Sequence, residues 1–312
     1  MASLTLTVTE AHQTLAAVVR GALPGASWNR ARDLVKSGRV VVDGVRAADS
    51  AVRLAVGAVV TINPDGQELS KGVLPPEDIV YVDSDVVVVS KRAGLLSVPF
   101  DSKDRDTLVD ITRAALRRQG KQGKKGFDPE LGVVHRIDVD TTGLLLFTRN
   151  LAAKKELQQQ FRVHSVHRRY LAIAHGVVRD GTVDTVLLSD RGDGIRGSYA
   201  HFRAPKGPPP ADARQAVTHL RCVTALKGAS LVECRLETGR QHQIRIHLSE
   251  GGHPLVGEKV YIRDYTGLRI PAQRPMLHAQ ELGFEHPRTG EHMRFSKDPP
   301  ADFAELLATL RP

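Results

Sequence analysis

The residues of this chain that could do chemistry are concentrated in one segment, residues 132–150. Apolar residues 133–134 and 144–147 flank a group of charged residues that includes Asp138. The apolar runs are typical of buried strands, and residues 140–143, Asp-Thr-Thr-Gly, are typical of a turn. An ionised carboxylate in such a frame is unfavourable unless a cation pairs with it. Asp138 is therefore either a turn-capping aspartate or a functional carboxylate with a partner elsewhere in the chain.

The composition favours a polyanionic partner. The 312 residues include 44 Lys and Arg against 35 Asp and Glu, which gives a formal net charge of +9. Nucleic acid is the commonest soluble polyanion, although the charge could also serve solubility alone. Aromatic residues make up only 4% of the chain, which argues against a broad stacking surface for single-stranded RNA.

Signals for membranes, secretion and redox chemistry are missing from the sequence. No apolar run is long enough for a membrane span, and residues 1–10 lack the basic and apolar regions of a secretory signal. Cys222 and Cys234 form no C-x-x-C pair, so neither a zinc knuckle nor a redox motif is supported. We therefore expect a cytoplasmic protein with reduced cysteines and no membrane association, and a monomer by default.

Residues 12–63 are predicted to form a small domain of their own. Apolar spacing predicts a first helix around residues 15–19 and a second around residues 31–35. A strand, a tight turn at residues 43–44 and further strand character up to residue 62 follow. The pattern indicates a small α+β domain.

The end of the second helix carries a resemblance to a known RNA-binding module. Residues 38–44, Gly-Arg-Val-Val-Val-Asp-Gly, resemble the hallmark of the S4 domain. That family usually has Ser-Arg at the start of the second helix, where this chain has Ser27-Trp28. Arg30 and Arg32, one helical turn away, are then the candidate phosphate contacts. The alternative is a domain whose basic helix is only solvated.

Residues 64–78 are rich in proline and glycine and are interpreted as a linker to a second domain, residues 79–312. The second domain combines many short strands, such as the hairpin pattern at residues 217–236, with a few helices and no βαβ repeat. This pattern predicts the α+β class with a mixed, mainly antiparallel sheet. The basic stretch at residues 117–125 is predicted to be a loop, either near RNA phosphates or only solvated.

Several segments of the second domain resemble, in the same order, the signatures of RluA-type pseudouridine synthases. The opening segment has Ser90 and Arg92 where that family has Asn and Pro. Together the matches span most of residues 79–305. They are VVSKRAGLL at residues 88–96, HRIDVDTTG at 135–143, RYLAIAHG at 169–176, TGRQHQIRIH at 238–247 and a closing match at 277–287.

The resemblance implies a specific reaction. Such enzymes isomerise uridine in RNA to pseudouridine by detaching the base at N1 and rejoining it through C5, without hydrolysis. It implies that Asp138 is the nucleophile, attacking either C6 of the base or C1′ of the ribose. It assigns to Arg245 the salt bridge that keeps this carboxylate ionised and oriented. Tyr170 is implied to stack on the base and to assist removal of the C5 proton.

The same resemblance indicates which residues hold the substrate. A target base in a stem must leave its stack before attack, and Arg136 is implied to fill the space that it vacates. Ile244 is expected to pack against the extruded ring, and His135 is also expected to bind the substrate. Arg240 is expected to contact phosphate or to be structural rather than catalytic, because most Arg–RNA contacts go to phosphate.

A metal site is the first alternative for the polar residues of these motifs. His135, His242 and His247 could be imagined as ligands, but the last two are five residues apart on a predicted helix and diverge. No Cys or Glu completes a set, so we expect no metal and no cofactor. Tyr170 could also be a plain core residue.

Other functions remain as alternatives for the whole chain. It could be a non-catalytic RNA-binding or ribosome-assembly factor. A small-molecule glycosidase lacks the usual paired carboxylates, although Asp140 lies close to Asp138 in sequence. A synthase of this length with an S4 domain resembles the enzymes that act on large-subunit (23S) ribosomal RNA. A tRNA-directed synthase is the alternative substrate assignment.

Overall fold

In the computed structural model the chain separates into two units, Met1–Val73 and Leu74–Pro312. The predicted turn at residues 43–44, most of the predicted linker and residues 121–125 of the basic stretch lie outside the described part of the chain. The structure describes residues 4–10, 13–42, 45–47, 50–54, 56–64, 74–100, 104, 107–120, 130–192, 194–202 and 208–312.

The first unit contains two helices and a four-stranded antiparallel sheet with the strand order β1-β4-β2-β3. Strand β1 precedes residue 12 and pairs with β4, so the sheet includes residues outside the predicted domain. The elements are β1 (Leu4–Thr7), α1 (Leu15–Ala22), α2 (Trp28–Lys36), β2 (Val40–Val42), β3 (Val45–Arg46) and β4 (Val59–Ile62).

Side-chain caps explain where the two helices of this unit begin. Thr14 accepts a hydrogen bond from the Ala17 N–H, and Ser27 accepts one from the Arg30 N–H. Both satisfy a helix-terminal donor that has no partner within the helix. Helix α2 ends at Lys36, and Gly38, just after the C-cap residue Ser37, has a φ of 67°, the left-handed conformation that favours glycine at this position.

The second unit is built on an 11-stranded sheet in which the strand order of the main path is β11-β10-β12-β13-β9-β14-β8-β6-β5. Among the residues described, no helix is long and apolar enough to cross a membrane. The elements are β5 (Ile79–Val82), β6 (Val86–Lys91), α3 (Leu108–Gly120), β7 (Gly132–Val133), β8 (Thr142–Thr148), α4 (Leu151–Arg162), β9 (His167–His175), β10 (Gly181–Leu188), β11 (Gly197–Ser198), α5 (Tyr199–Phe202), β12 (Arg214–Leu226), β13 (Ala229–Leu236), α6 (Gln243–Glu250), β14 (Leu277–Glu285), β15 (His292–Ser296) and α7 (Ala301–Thr309).

The middle of the sheet is buried on both faces. Alternate residues of a strand point to opposite faces, so Val87 and Leu145 pack in one apolar cluster while Val88 and Leu146 pack in another. Strands β6 and β8 are therefore continuous apolar runs rather than alternating ones. The long helices α3 and α4 supply part of the cover on the two faces.

One strand pair in the described sheet is parallel. Strands β8 and β14 run side by side at Thr142–His278 and Gly143–Ala279, and their other neighbours pair antiparallel. Gly143 has a φ of 107°, and a Cβ built on it would lie 2.2 Å from the Ala279 carbonyl oxygen. Only glycine therefore allows the start of β8 to approach β14 this closely.

The structure confirms the predicted α+β class with a mainly antiparallel mixed sheet. Three local predictions were wrong. Residues 117–120, predicted to begin a loop, continue α3, because the arginines and the glutamine before Gly120 are good helix formers. The turn after Asp138 is earlier than predicted, because the Thr141 N–H donates to the Asp138 carbonyl and Thr142 already belongs to β8. His242 is not inside a helix but is the residue before α6, with a positive φ of 59°.

We expect Gly143→Ala to lower the free energy of unfolding by about 3 kcal/mol or more, because both the backbone conformation and the contact with β14 are lost. Urea unfolding followed by circular dichroism measures this. Gly181→Ala is the matched control, since a Cβ there meets no atom within 4 Å, and its effect should stay within about 0.5 kcal/mol. Equal effects of the two substitutions would contradict the close-approach explanation.

Candidate active site

A cleft of about 370 Å³ lies in the second unit, and several segments far apart in sequence line it. This volume is in the range of small-ligand pockets. Residues 133–138 and 239–245 form much of its wall. The predicted site residues that line it are His135, Arg136, Asp138, Tyr170, Arg240, Ile244 and Arg245.

The backbone on both sides of Asp138 is held by buried side chains. The Ser97 hydroxyl donates to the Ile137 carbonyl at 2.7 Å and accepts from the Ile137 N–H at 3.2 Å. The Lys91 ammonium group donates to the Val139 carbonyl at 2.5 Å and also to two carbonyls of residues 92–95. The carboxylate therefore projects from a fixed loop, and its side chain is 22% exposed in the cleft.

Arg245 reaches Asp138 but is held mainly by another carboxylate. One guanidinium nitrogen, Nη1, lies 3.7 Å from Asp138 Oδ2, whereas Nε and Nη2 form a bidentate pair with Glu258 at 2.8 Å and 2.7 Å. The Glu258 side chain is fully buried and also accepts three backbone N–H bonds from residues 259–261. Glu258 therefore sets the orientation of the cation that faces Asp138.

Mutual stabilisation keeps this ion pair charged. Burial alone would raise the pKa of Glu258, but the Arg245 hydrogen bonds and charge, together with backbone N–H groups, bring it below its usual range. Burial alone would lower the pKa of Arg245, but the bond to Glu258 and the nearby Asp138 charge raise it. Arg245 is therefore a permanent positive charge in the cleft.

His242 contacts the other side of the Asp138 carboxylate. Its Nε2 lies 4.0 Å from Asp138 Oδ1, and its Nδ1 hydrogen-bonds with the Tyr261 hydroxyl at 2.8 Å. Burial lowers the pKa of His242, which favours the neutral imidazole. Gln243 fixes the turn that carries His242. Its buried side-chain oxygen accepts hydrogen bonds from the Thr238 hydroxyl and from the Arg240 N–H.

Tyr170 lies on β9 with its ring in the wall of the cleft. The residue is 8% exposed. Burial, and to a lesser degree the Asp138 charge, raises the pKa of Tyr170 to about 12 although Arg168 opposes this. Its hydroxyl is therefore protonated at neutral pH.

The other predicted cleft residues differ in their surroundings. Arg136 and Arg240 are exposed at the cleft, and Arg240 donates to the Gln215 carbonyl. Ile244 is buried among the apolar residues beneath it. His135 stacks on Phe161, and its Nε2 accepts the Leu146 N–H at 2.9 Å, so this nitrogen is already used within the protein.

Arg30 and Arg32 belong to the first unit and not to this cleft. Both side chains are exposed on α2. Arg30 donates to the Pro64 carbonyl, and Arg32 lies 6.0 Å from the centre of the Trp28 ring. A role in phosphate binding stays a prediction for both.

The histidines considered as metal ligands do not form a site in the described residues. Both ring nitrogens of His247 bond to threonine hydroxyls. The cluster whose geometry could hold a cation is a different one, Asp83, Asp85 and His286. His286 hydrogen-bonds with Asp83 and Arg288 pairs with Asp85, so both carboxylates already have partners within the protein.

Sequence reasoning missed several residues that build the site. Glu258 and Ser97 lie outside the charged motif around Asp138, and nothing in their spacing connects them to it. Arg168, one residue before the segment RYLAIAHG, was not predicted either. Its signal was the period-two spacing to Tyr170, which places both side chains on one face of a strand.

Comparison with known proteins identifies the family of the chain. The family model described as RNA pseudouridylate synthase matches residues 85–250, more than half of the chain. The chain belongs to the RNA pseudouridylate synthase family. The predicted family and isomerase activity are thereby confirmed.

Relatives of this synthase match along most of its length. A Bacillus subtilis protein named uncharacterized RNA pseudouridine synthase YlyB is 38% identical over 291 residues, covering 91% of this chain and 90% of the relative. Ribosomal large subunit pseudouridine synthase D from Zymomonas mobilis is 39% identical and covers 75% of this chain and 73% of the relative. The Neisseria meningitidis protein of that name is 32% identical, with 99% and 81% covered.

A solved structure supports the fold of the synthase. Human RNA pseudouridylate synthase domain containing 4 aligns with a TM-score of 0.58 at 22% identity, covering 74% of this chain and 92% of the other. The similarity agrees with the predicted α+β architecture. The S4-like nature of the first unit stays a prediction.

We expect Glu258→Gln to lower the free energy of unfolding by about 3 kcal/mol, because it removes the buried partner of the Arg245 charge. Urea unfolding at neutral pH measures the loss. Glu233→Gln is the control, since Glu233 pairs with Arg169 and Arg221 where solvent screens the charges more, and should lose about 1 kcal/mol or less. An equal loss in both variants would show that the buried Glu258 pair contributes no more to stability than the more solvent-screened Glu233 pair.

Acid should destabilise the synthase partly through His135. Burial, and then the Arg168 charge, lowers the pKa of His135 to about 3, below the unfolded value near 6.5. The unfolded chain therefore binds more protons between these values, so stability is retained above about pH 6.5 and lost as the pH falls. Between pH 7.5 and 5.0, His135 should contribute a loss of about 2 kcal/mol.

The measurement compares urea unfolding of the wild type and His135→Gln at both pH values. Glutamine keeps an acceptor for the Leu146 N–H but does not titrate. The wild type should lose about 2 kcal/mol more than the variant, while other histidines contribute equally to both. Identical losses would mean that the pKa of His135 is the same in the folded and the unfolded chain, and would contradict the prediction.

Proposed function

We propose that the cleft isomerises uridine with Asp138 as the nucleophile and that large-subunit ribosomal RNA is the substrate. The observation that carries the assignment is the Arg245 guanidinium, 3.7 Å from the Asp138 carboxylate inside a cleft also lined by Tyr170. The reaction class comes from the family, and the contacts within the cleft support the residue roles proposed below.

Asp138 is suited to nucleophilic attack because its carboxylate is not consumed by the ion pair. Arg245 gives its two short hydrogen bonds to Glu258, and only its third nitrogen faces Asp138. The guanidinium therefore faces the carboxylate without a bidentate bond that would cover both of its oxygens. Attack at C1′ of the ribose or at C6 of the uracil uses the same carboxylate.

The reaction exchanges one bond to the ribose for another. The N1–C1′ bond breaks, the C5–C1′ bond forms, the C5 proton leaves and N1 is protonated in the product. No oxidant, reductant or water is consumed. Tyr170 offers a ring against the base and a hydroxyl that stays protonated at neutral pH, so it donates or relays a proton rather than acting as a phenolate base.

Arg136 and Ile244 fit the step in which the base enters the cleft. Arg136 is exposed beside Asp138, where its long side chain can occupy the space left in a stem. Ile244 presents an apolar surface to the uracil ring. Arg240, also exposed at the cleft, is suited to a phosphate contact.

The substrate assignment rests on the relatives, since those from Zymomonas mobilis and Neisseria meningitidis are named for the ribosomal large subunit. The net charge of +9 fits a polyanionic substrate of this kind. We propose that the first unit adds RNA affinity as an S4-like module through Arg30 and Arg32. Transfer RNA is the alternative substrate.

We expect Asp138→Asn to reduce pseudouridine formation at least about 1,000-fold, because an amide cannot supply the nucleophile, while RNA binding changes little. Tritium release from C5-labelled, unmodified large-subunit ribosomal RNA measures the conversion, with labelled tRNA transcripts assayed in parallel. Retained activity in the variant would overturn the nucleophile assignment, and release from tRNA alone would overturn the substrate.

Asp140→Asn is the matched control, two residues further along the same loop. Asp140 is engaged through its backbone carbonyl, which accepts from Arg274. Its conversion rate should stay within about threefold of the wild type, since its carboxylate is assigned no step. A loss as large as that of Asp138→Asn would instead favour a pair of acid and base carboxylates.

A further inference from the structure

A second buried cation faces the cleft, and no carboxylate among the described residues pairs with it. Arg168 is 6% exposed and lines the cleft two residues before Tyr170 on β9. Alternate strand residues share a face, so both side chains point to the same side of the sheet. Arg169, between them, points to the opposite side and pairs with Glu233 and Glu281.

The contacts of Arg168 leave its charge uncompensated. Its Nη2 donates to the Glu237 carbonyl at 2.6 Å, and its Cζ lies 5.5 Å from the centre of the Phe161 ring. Its Nε is buried without a hydrogen-bond acceptor in the part of the chain that the structure describes. Burial lowers the pKa of this guanidinium, and nearby Arg240 adds repulsion. A buried charge without a counter-ion is unfavourable, so the arrangement calls for an anion.

The surrounding chain makes room for this guanidinium at the cleft. A Cβ built on Gly239 would lie 2.5 Å from Arg168 Nη1, so any side chain at position 239 would displace the group. Arg136 and Arg240 are exposed at the same cleft. Four arginines therefore line the cleft: Arg136 and Arg240 are exposed, whereas Arg168 and Arg245 are buried. Of the two buried ones, Arg245 has a carboxylate partner in Glu258.

We propose that Arg168 binds the phosphodiester next to the target nucleotide and holds that nucleotide against Tyr170. The inference rests on the proposed function, because it requires RNA in this cleft. A phosphate supplies the missing negative charge and accepts the planar donors of a guanidinium. Such a contact fixes register and carries no base recognition, so Arg168 is a binding and positioning residue for any uridine that enters.

The test is the salt dependence of RNA binding, measured by filter binding of unmodified large-subunit ribosomal RNA between 50 and 300 mM KCl, about the range over which phosphate contacts are resolved. All proteins carry Asp138→Asn, so the RNA is not converted during the measurement. Arg168→Gln should reduce the slope of log affinity against log salt by about 0.7 to 0.9, the value for one lost phosphate contact. Arg168→Lys should keep the slope.

Arg169→Gln is the control, because it removes the same charge from the neighbouring residue on the opposite face. Its slope should equal that of the parent protein. Gly239→Ala is a second variant that keeps every charge but displaces the guanidinium, and it should reduce the slope as Arg168→Gln does. If Arg168→Gln does not fold, as judged by thermal melting, Gly239→Ala decides the question.

An unchanged slope in folded Arg168→Gln or Gly239→Ala would overturn the phosphate contact, even if the reaction is slower. Arg168 would then have only a structural role, as the donor to the Glu237 carbonyl. Tritium release from the proteins without the Asp138 substitution separates this outcome from a failure of the proposed function. If Arg168→Gln converts RNA about 10- to 100-fold more slowly at low RNA concentration and shows the reduced slope, both proposals hold. No conversion by the wild type would count against the function alone.

Discussion

The buried pair between Arg245 and Glu258 is the interaction on which the site depends. One guanidinium lies between two carboxylates, and it gives its short bidentate bond to Glu258, the buried carboxylate that does not line the cleft. Such a pair is stable only because Glu258 also accepts backbone N–H groups. The Arg245 guanidinium then lies 3.7 Å from the Asp138 carboxylate, whose oxygens remain accessible from the cleft.

The rest of the site follows from fixing the backbone on either side of that carboxylate. Ser97 holds Ile137, and Lys91 holds Val139, so the loop cannot turn Asp138 away from the cleft without breaking buried hydrogen bonds. The segment VVSKRAGLL at residues 88–96 thus has a structural function. It supplies the Lys91 ammonium group, which donates to carbonyls of this segment and to the Val139 carbonyl. Rigid support of this kind is what places a reacting group within catalytic distance.

The sheet brings these segments together through one unusual pairing. Parallel contact between β8 and β14 at Gly143 places the loop after Asp138 beside the strand that also borders Tyr170 on β9. Because β6 and β8 are buried on both faces, their register is fixed by packing on each side. The polar cleft therefore lies next to the buried apolar clusters that pack on the two faces of β6 and β8.

The sequence alone determined the fold class, the family, and the candidate residues Asp138, Tyr170 and Arg245, because these signals are local. Apolar runs give strands, ordered motifs give the family, and a lone charged group in an apolar frame stands out. Residues with no such local signal were not found. Nothing near Glu258 in sequence indicates that its carboxylate holds an arginine 13 residues earlier.

Only the tertiary structure decided how charge is distributed in the cleft. In the folded chain Arg245 contacts two carboxylates, and a ring nitrogen of His135 accepts a backbone hydrogen bond. Arg168 and Arg169 lie on opposite faces of the sheet, the first bound to a backbone carbonyl and the second to carboxylates. Each outcome depends on which distant chain segment lies within a few ångströms. Electrostatic interactions fall off with distance and solvent exposure, and both quantities are properties of the folded chain.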